Sequence, residues 1–346
     1  MVIKACQMKI AIHHRPGSFS EPWIKYCEEK KIPFKIVCCY DNDIISQLHD
    51  CEALMWHHHH AILKDVLISK QLLFSLQQSG KKVFPDFNTN WHFDDKLGQK
   101  YLLESINAPL VPSHIFFDKF HANKWIDSTT FPKVFKLRGG AGAVNVELVT
   151  TEIHARKIVD IAFGKGFLHY DRWKILKEKI GKMRLGQSNF ADVIKGTARF
   201  VIPTEYYQMR EHDKGYVYFQ DFIANNDCDI RVIVIGDRAF AIKRLVREND
   251  FRASGSGKIE YERNNFDDQT IRLAFQVSKK LNIQVCAFDF VFDHDSNPLI
   301  VEISFGFSMS GYFNCVGYWD STLNFFSGPF NPYGWMVDLV WREQHK

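Results

Sequence analysis

The amino-acid sequence predicts a mixed α/β protein of 346 residues that folds into more than one lobe. Short apolar runs alternate with helical segments through residues 9–85, which is typical of a parallel α/β lobe. Two later pairs of apolar runs, at residues 132–149 and 286–304, are each joined by a polar turn and predict β-hairpins. We therefore expect three lobes, at residues 1–90, 91–215 and 216–346.

Composition and charge exclude several classes of protein. The formal net charge of +4 is too small to indicate a nucleic-acid-binding surface, and no apolar run approaches the ~20 residues that span a membrane. None of the eight cysteines is spaced as CxxC, which favours free thiols in a reducing cytosol over a disulfide framework or a zinc site. A cytoplasmic protein without a nucleic-acid partner is expected.

The first lobe ends its third strand in four consecutive histidines, His57 to His60. Open α/β sheets bind ligands at the carboxyl ends of their strands, so one or two of these histidines are candidates for contact with a substrate. A solvated turn fits the tract equally well, and neighbouring side chains diverge too much to share a metal. The strands of this lobe are predicted at Lys9–His13, Phe34–Cys38 and Ala53–Trp56, and its helices at Ser20–Lys30, Asp43–His49 and Ala61–Gln78.

The second lobe contains a glycine-rich hairpin. After a helix that begins near Lys96, two β-type runs flank Gly139, Gly140 and Gly142, with Lys136 at the end of the first run. Glycines let backbone N–H groups approach an anion, so the loop is suited to covering phosphates; a plain hairpin turn is the alternative. The loop lacks the GxxxxGK[ST] and GxGxxG patterns. The basic stretch that follows, residues 152–196, fits a solvated helix better than an anion-binding surface.

The third lobe opens with an aromatic strand at Tyr216–Ala224 and a hairpin that turns at Gly236-Asp237. The hairpin carries Arg231, Lys243 and Arg244, and the polar loop at residues 249–258 adds Arg252. A helix at Phe266–Leu281 then leads to the last hairpin. The Ser/Gly content of the loop favours a mobile lid.

One acidic residue interrupts each strand of the last hairpin, Asp289 in the first and Glu302 in the second. A turn centred between Asp295 and Ser296 would place these residues opposite each other, with Cβ atoms roughly 5 Å apart. Two unpaired carboxylates would repel there, and Mg²⁺ would remove the repulsion. The alternative is that each acid pairs with an arginine or lysine from elsewhere.

In this order, the elements resemble the ATP-grasp superfamily from about Phe84 to Gly311. The resemblance implies an ATP-grasp fold preceded by an N-terminal Rossmann-like domain. The tail from Glu302 to Asp320 and the NPYGWMVDL segment are similar to a bacterial ATP-grasp group associated with sugar and polysaccharide biosynthesis.

The resemblance also implies residue roles. Lys136 and Lys96 match lysines near the nucleotide, Arg231 matches an arginine facing the transferred phosphate, and Lys243 and Arg252 are further cations. Asp289 and Glu302 match the Mg²⁺ carboxylates, while Ser304 stands where the family has asparagine, which puts the second metal position in doubt. The remaining nucleotide-binding positions are Gly139, Gly140, Gly142, Gln220, Asp221, Phe222 and Ile223.

These roles imply an ATP- and Mg²⁺-dependent ligase, with Mn²⁺ as an alternative metal. It would join a small-molecule carboxylate to an amine through an acyl phosphate, as a monomer or a homodimer. Two other hypotheses stay open: a kinase that stops at phosphoryl transfer, and a nucleotide-binding regulatory module without turnover.

Overall fold

The computed structural model describes residues 9–140, 145–168, 212–247, 250–253 and 257–341. Its described residues divide into two compact units, one drawn from residues 1–60, 64–111 and 223–346 and the other from residues 61–63 and 112–222. A compact unit can contain more than one domain, so the predicted three-lobe division stays a proposal.

A four-stranded parallel sheet begins the chain, in the order β2-β1-β3-β4, as the alternating pattern predicts. One of its faces packs on a cluster that includes Leu54, Leu73 and Val83. Its strands are β1 (Ile10–His13), β2 (Phe34–Val37), β3 (Ala53–Met55) and β4 (Lys82–Phe84). The helices of this region are α1 (Ser20–Lys30), α2 (Ile44–Gln47), α3 (Leu63–Gln78), α4 (Phe87–Asn90) and α5 (Lys96–Ser105).

The second unit contains a four-stranded antiparallel sheet in the order β5-β8-β6-β7. A separate core, which includes Phe135, Val149 and Phe219, lies between this sheet and two helices. The strands are β5 (Ser113–Phe116), β6 (Lys133–Lys136), β7 (Val146–Val149) and β8 (Val217–Asp221), and the helices are α6 (Lys119–Ile126) and α7 (Glu152–Ala162). The pairing of β6 with β7 confirms the predicted glycine hairpin.

A seven-stranded sheet follows, in the order β13-β12-β9-β10-β14-β15, with β11 paired to β10. Each of the two predicted hairpins in this region is an antiparallel pair of this sheet, β9 with β10 and β12 with β13. The strands are β9 (Cys228–Ile235), β10 (Arg238–Leu245), β11 (Ile259–Glu260), β12 (Val285–Phe292), β13 (Pro298–Ser304), β14 (Gly317–Asp320) and β15 (Phe325–Ser327). The helices are α8 (Asp268–Leu281) and α9 (Pro332–Trp341).

Helix α8 illustrates why these segments fold as they do. Asp267 caps its first turn by accepting a hydrogen bond from the Thr270 amide at 2.7 Å. Ile271, Ala274 and Ser278 recur on one buried face at helical spacing. The helix ends at Asn282, whose φ of 50° is left-handed.

The seven-stranded sheet has two buried faces. Even-numbered residues of β9, such as Val232 and Val234, enter a core shared with α8, whereas Ile233 and Ile235 enter a core shared with β1, α1 and α9. This alternation fixes which polar side chains of the sheet lie together. No helix among the described residues has the length and apolar character needed to cross a bilayer.

Candidate functional site

Asp289 and Glu302 are direct partners across β12 and β13, which confirms the predicted pairing. The two residues do not meet because of a turn centred between Asp295 and Ser296, as predicted, but because of an irregularity in the strand pairing. The turn pairs Phe292 with Pro298, a register that would set Asp289 against Val301, and a β-bulge between Asp289 and Phe290 then restores Glu302 as the partner. The bulge lets Ile300 and Ile303 both reach the same buried core. Both carboxylates therefore lie on one face of the sheet.

The alternative that was left open for these carboxylates, pairing with protein cations, applies to Asp289. Arg231 lies beside Asp289 on β9 and donates from Nε and Nη2 to its two carboxylate oxygens, at 2.5 and 2.6 Å. Arg244 adds a third contact, from Nη2 to Asp289 Oδ2 at 3.0 Å. Burial alone would raise the pKa of Asp289, but the charges of Arg231 and Arg244 hold it well below its usual range. Asp289 is therefore a fixed anion.

Arg244 and Asp229 belong to the site although the sequence analysis assigned neither a role. Arg244 donates from Nε and Nη2 to the carboxylate of Asp229 at 2.6 and 2.7 Å. Burial and the nearby charge of Asp289 raise the pKa of Asp229 to about 6. A signal was available: the two-residue turn at Gly236-Asp237 pairs Arg244 with Asp229 and so places both on the face of Arg231.

Lys243 and Arg252 were predicted as further cations of the site, and Lys243 is not brought to this cluster. Lys243 pairs with Ile230 in the ladder, so its side chain and that of Arg231 lie on opposite faces of the sheet. There its Nζ lies 3.2 Å from Glu260 of β11. Arg252 donates from Nε to Asp250 at 2.8 Å. Their predicted roles stay proposals that this geometry does not support.

Lys96 reaches the other carboxylate of the pair. It opens α5, which Asp95 caps by accepting from the Gly98 amide at 3.0 Å, and its Nζ lies 3.8 Å from Glu302 Oε2. A buried lysine at a helix N-terminus creates a positive potential that suits an anion. The Gln99 side chain ties α5 to β13 by accepting from the Ile303 amide at 3.3 Å.

Ser304 shares the face of the acid pair because it opposes Ala287, two residues from Asp289. Its hydroxyl is already engaged with Gly306, donating to the carbonyl at 3.0 Å and accepting from the amide at 3.2 Å. As a metal ligand it would have to give up part of this turn. The substitution of serine for asparagine thus removes a ligand that could reach further.

The turn of the acidic hairpin carries a separate group, Asp293, His294 and Asp295, whose ligand atoms lie within 4.8 Å of one another. Asp293 Oδ1 accepts from the amides of Asp295 and Asn297 at 2.9 and 2.8 Å. These bonds are those of an ordinary turn, so this group is structural.

In the second unit, Lys136 is buried and donates from Nζ to Gln220 Oε1 at 2.6 Å. Gln220 is held in turn by Ser113, whose hydroxyl accepts from Nε2 at 3.1 Å. Ladder pairing puts Lys136 and Gln220 on the same face of this sheet. Two of the predicted nucleotide residues therefore lie together.

The neighbouring residue Asp221 points to the other face. Its Oδ1 accepts from Lys133 Nζ at 2.7 Å and lies 3.2 Å from His114 Nε2. Its backbone amide donates to the Pro112 carbonyl at 2.8 Å, and the division between the two units falls between Phe222 and Ile223. The side chain of Asp221 is therefore structural, and its predicted nucleotide role would fall to the backbone.

The structure describes the first residues of the glycine loop, up to Gly140. Gly140 has a φ of 115°, which other residues rarely adopt, and the Arg138 amide donates to the Tyr216 hydroxyl at 2.7 Å. Gly139 is buried, three residues after the end of β6. Gly142 lies outside the described residues, as do parts of the predicted lid at residues 249 and 254–256 and of the basic stretch at residues 169–196.

The four histidines make defined contacts with neighbouring side chains. His57 stacks on Phe19 with ring centroids 3.6 Å apart, and buried His58 hydrogen-bonds Asn90 Oδ1 at 2.8 Å. His59 and His60 stack on each other at 4.4 Å. The solvated-turn alternative does not fit His58, whose side chain is buried. Contact of these residues with a substrate stays a prediction.

Chemically, the sheet face of the first unit offers hard oxygen ligands from Asp289 and Glu302 beside cations from Arg231, Arg244 and Lys96. Carboxylates suit a divalent cation, and guanidinium and ammonium groups suit phosphate oxygens. This combination fits the stabilisation of charge on a transferring phosphoryl group.

Residues 202–313 match a family model described as a RimK-like ATP-grasp domain. The chain resembles a RimK domain protein ATP-grasp from Sphaerobacter thermophilus DSM 20745, with 14% identity and a TM-score of 0.55 over 96% of this chain and 99% of that chain. It also resembles N5-carboxyaminoimidazole ribonucleotide synthetase from Thermotoga maritima, with 13% identity and a TM-score of 0.58 over 96% of this chain and 75% of that chain. A third similar structure is the ATP-grasp ligase PsnB complexed with a precursor peptide and AMPPNP, with 11% identity and a TM-score of 0.54 over 98% of this chain and 99% of that chain. No curated protein matches the sequence. These likenesses confirm the predicted ATP-grasp fold.

Proposed function

From the ATP-grasp fold of this chain, we propose that the protein is an ATP- and Mg²⁺-dependent ligase that joins a carboxylate to an amine. The observation that carries the proposal is the placement of Asp289 and Glu302 opposite each other, on the sheet face that also holds Arg231 and Arg244. The matched segment 202–313 contains all four residues. Glu302 stays partly exposed beside the buried ion pairs, so it remains available to a ligand.

The predicted nucleotide contacts are proposed residue by residue. Lys136 and Lys96 would contact phosphates, and the backbone of Gln220 to Ile223 would read the base, while Gly139, Gly140 and Gly142 would cover the phosphates. Burial of both lysines, at 5% and 7% exposure, supports these roles, because a buried ammonium group is stabilised by an anionic partner.

Mg²⁺ fits Asp289 and Glu302, with Mn²⁺ as an alternative. Glu302 is the more available ligand: 30% of its side chain is exposed and Lys96 lies no closer than 3.8 Å. Asp289 already accepts from two arginines, so it would share an oxygen between a cation of the protein and the metal. Ser304 fits less well because of its contacts with Gly306. The metal, when bound, would neutralise charge on the phosphate oxygens.

The proposed reaction has two steps. A carboxylate oxygen of the substrate attacks the γ-phosphorus of ATP, the bond to ADP breaks, and an acyl phosphate forms. The amine then attacks the carbonyl carbon, phosphate leaves, and the amine gives up a proton as the C–N bond forms. Arg231 and Arg244 would stabilise the negative charge that develops on the phosphoryl oxygens.

The finer proposal is that the substrates are small molecules, a sugar acid or amino acid and an amine, used in polysaccharide biosynthesis. The similarity of the C-terminal tail to that ATP-grasp group supports it. We also propose a cytoplasmic location, supported by the seven described cysteines, all of which are free. A homodimer stays a further proposal.

Two rival functions are separated from the ligase by their products. A kinase would stop at a phosphorylated substrate, and a regulatory module would bind ATP without turnover. The engagement of Ser304 with Gly306 favours the regulatory module weakly, because it leaves the metal with fewer ligands.

Incubation of the protein with Mg-ATP and pools of carboxylates and amines, followed by mass spectrometry, tests the proposal. A new amide together with ADP supports the ligase, and AMP would indicate adenylate chemistry instead. A phosphorylated carboxylate that accumulates with the amine present would indicate the kinase. Loss of turnover in Glu302→Gln with ATP still bound would assign Glu302 to the reaction.

Lys136→Ala should weaken ATP binding by about 1–3 kcal/mol, the scale for loss of a charged hydrogen bond. Lys133→Ala is the matched control, because Lys133 is equally buried but pairs with Asp221 on the opposite face of the same sheet. Calorimetric titration of both variants with ATP measures the difference. Equal affinities in the two variants would remove Lys136 from the nucleotide site.

A further inference from the structure

The proposed function leaves unused a group of basic side chains at the carboxyl edge of the first sheet. Strands β1, β2 and β3 are parallel, so their carboxyl ends meet at one edge. His13 ends β1, Cys39 follows β2 and His57 follows β3. Arg15 follows His13 and leads to α1. This edge of an open α/β sheet is where ligands bind.

Arg15 is held in place by its backbone, while its Nε atom has no hydrogen-bond partner among the described residues. Its amide donates to Ser20 Oγ at 3.0 Å, and its carbonyl accepts from the hydroxyls of Ser18 and Ser20 at 2.7 and 3.2 Å. The Nε atom is sealed from solvent yet makes no hydrogen bond, and no ion pair of Arg15 occurs in the described part of the chain. A buried donor left unpaired is costly, and an unplaced ligand is one explanation of it.

His13 and His57 lie at the same edge of the sheet as Arg15, and each ring keeps one N–H group. His13 Nδ1 accepts from the Cys39 amide at 2.9 Å, and His57 Nδ1 accepts from the Phe19 amide at 3.0 Å. Because a backbone amide can only donate, Nδ1 is unprotonated in both rings, and a neutral imidazole then carries its proton on Nε2. Burial lowers the pKa of His13 to about 4 and that of His57 well below its usual value, so both rings are neutral at pH 7.

The charge of Arg15 acts on this whole group. It contributes to the lowered pKa of His13, of His57 and of His59, after the larger effect of burial. It also opposes the rise that burial produces in the pKa of Asp65. Asp65 does not neutralise Arg15 by contact, since its two oxygens accept from the Tyr40 hydroxyl at 2.5 Å and from the His59 amide at 2.6 Å.

We infer that Arg15, His13 and His57 form a binding site for an oxyanion, the carboxylate or phosphate group of a small molecule. A guanidinium matches the paired oxygens of such a group, and two neutral imidazole N–H donors add hydrogen bonds without adding charge. The adjacent N-terminus of α1 contributes further positive potential. A donor set of this kind has nothing to offer a cation.

The inference rests on the proposed function only where the bound molecule is taken to be a substrate of the ligase. Its anionic group would then anchor one end of the molecule in the first lobe. The site itself requires neither ATP nor Mg²⁺, so it can be tested without turnover.

Calorimetric titration of the full-length protein with inorganic phosphate and with succinate, without nucleotide, tests the site. Arg15→Gln removes the charge but keeps much of the side-chain length, and Arg15→Lys keeps the charge without the paired donors. Lys25→Gln is the matched control, since Lys25 is an exposed cation of the same helix α1. Thermal melts show whether each variant is folded.

We expect whichever anion binds to lose at least about tenfold in affinity in Arg15→Gln, with a smaller loss in Arg15→Lys and none in Lys25→Gln. Binding of phosphate alone identifies a phosphate ligand, and binding of succinate alone a carboxylate. The inference is overturned if neither anion binds below ~10 mM, or if Arg15→Gln binds as tightly as Lys25→Gln. Oxyanion binding without any ligase activity would support the site and remove the proposed function. Ligase activity without oxyanion binding would support the proposed function and remove the site.

Discussion

At the scale of residues, the candidate metal site is a balanced ionic network. Asp229 and Asp289 face Arg231 and Arg244, so two anions and two cations cancel in a buried setting. Desolvation of four charges is expensive, and only the paired hydrogen bonds make it tolerable. Glu302 stands apart from this network, with a more distant partner in Lys96 and more contact with solvent. The two acids of the hairpin are therefore unequal.

This inequality predicts losses of stability of different size for the two neutralising substitutions. Asp289→Asn should cost about 3–5 kcal/mol of unfolding free energy, because it leaves Arg231 and Arg244 buried without their shared anion. Glu302→Gln should cost about 1 kcal/mol, the scale of a partly exposed pair, while it abolishes turnover if the metal role is correct. Urea unfolding of both variants without metal measures the difference. A greater loss of stability in Glu302→Gln would contradict the described network.

At the scale of elements, two local devices bring the acid pair and its lysine together. The bulge in β13 keeps Ile300 and Ile303 in one core while it turns Glu302 toward Asp289. The cap of α5 fixes the start of that helix, and with it Lys96, beside Glu302. Geometry at the site therefore depends on backbone irregularities that carry no chemistry themselves.

Removal of the α5 cap should separate stability from function. Asp95→Ala should cost about 1 kcal/mol of unfolding free energy and, if Lys96 contacts phosphates, should also weaken ATP binding. Asp267→Ala removes the cap of α8, which packs on the opposite face of the sheet, and should cost about the same with no effect on ATP. Chemical unfolding and ATP titration of both variants give the two readouts. Equal ATP affinity in both would indicate that Lys96 does not depend on the cap or does not contact the nucleotide.

At the scale of the whole molecule, the first and last parts of the chain share one core. Trp23 and Phe84 of the first lobe pack in the same buried cluster as Phe240 and Met336. The first predicted lobe therefore buries Trp23 and Phe84 against residues that follow far along the chain. Its other face packs on a smaller core of its own.

A fragment of residues 1–90 should fail to fold cooperatively, although its four parallel strands form a complete sheet. Exposure of Trp23 and Phe84 would forfeit about 1.5–3 kcal/mol each, which a domain of this size cannot spare. Near-ultraviolet circular dichroism and thermal unfolding of the fragment, compared with the full chain, test this. A sharp unfolding transition in the fragment would show that the first lobe is an independent domain.

Much of the fold could be predicted from the sequence because the information is local. Periodicity predicted α1 at Ser20–Lys30 with the bounds that the structure shows. Polar turns between apolar runs located three hairpins but missed the pairing of β14 with β15. The opposition of Asp289 and Glu302 also followed from the pattern, with an incorrect turn centre. The two-residue turn at Gly236-Asp237 also determines the pairing of Arg244 with Asp229.

Tertiary structure alone decided the partners of the acids and the role of the bulge. Lys96 and Glu302 meet because α5 packs on β13, a contact between segments distant in the chain that no local pattern encodes. The bulge is set by the need to bury Ile300 and Ile303 together and by the hydrogen bonds of Ile300 with Pro109 and Val111. The Nε atom of Arg15, which has no hydrogen-bond partner among the described residues, was equally invisible in the sequence. Burial and long-range pairing depend on the whole packed chain, and that is the physical reason why these features required the structure.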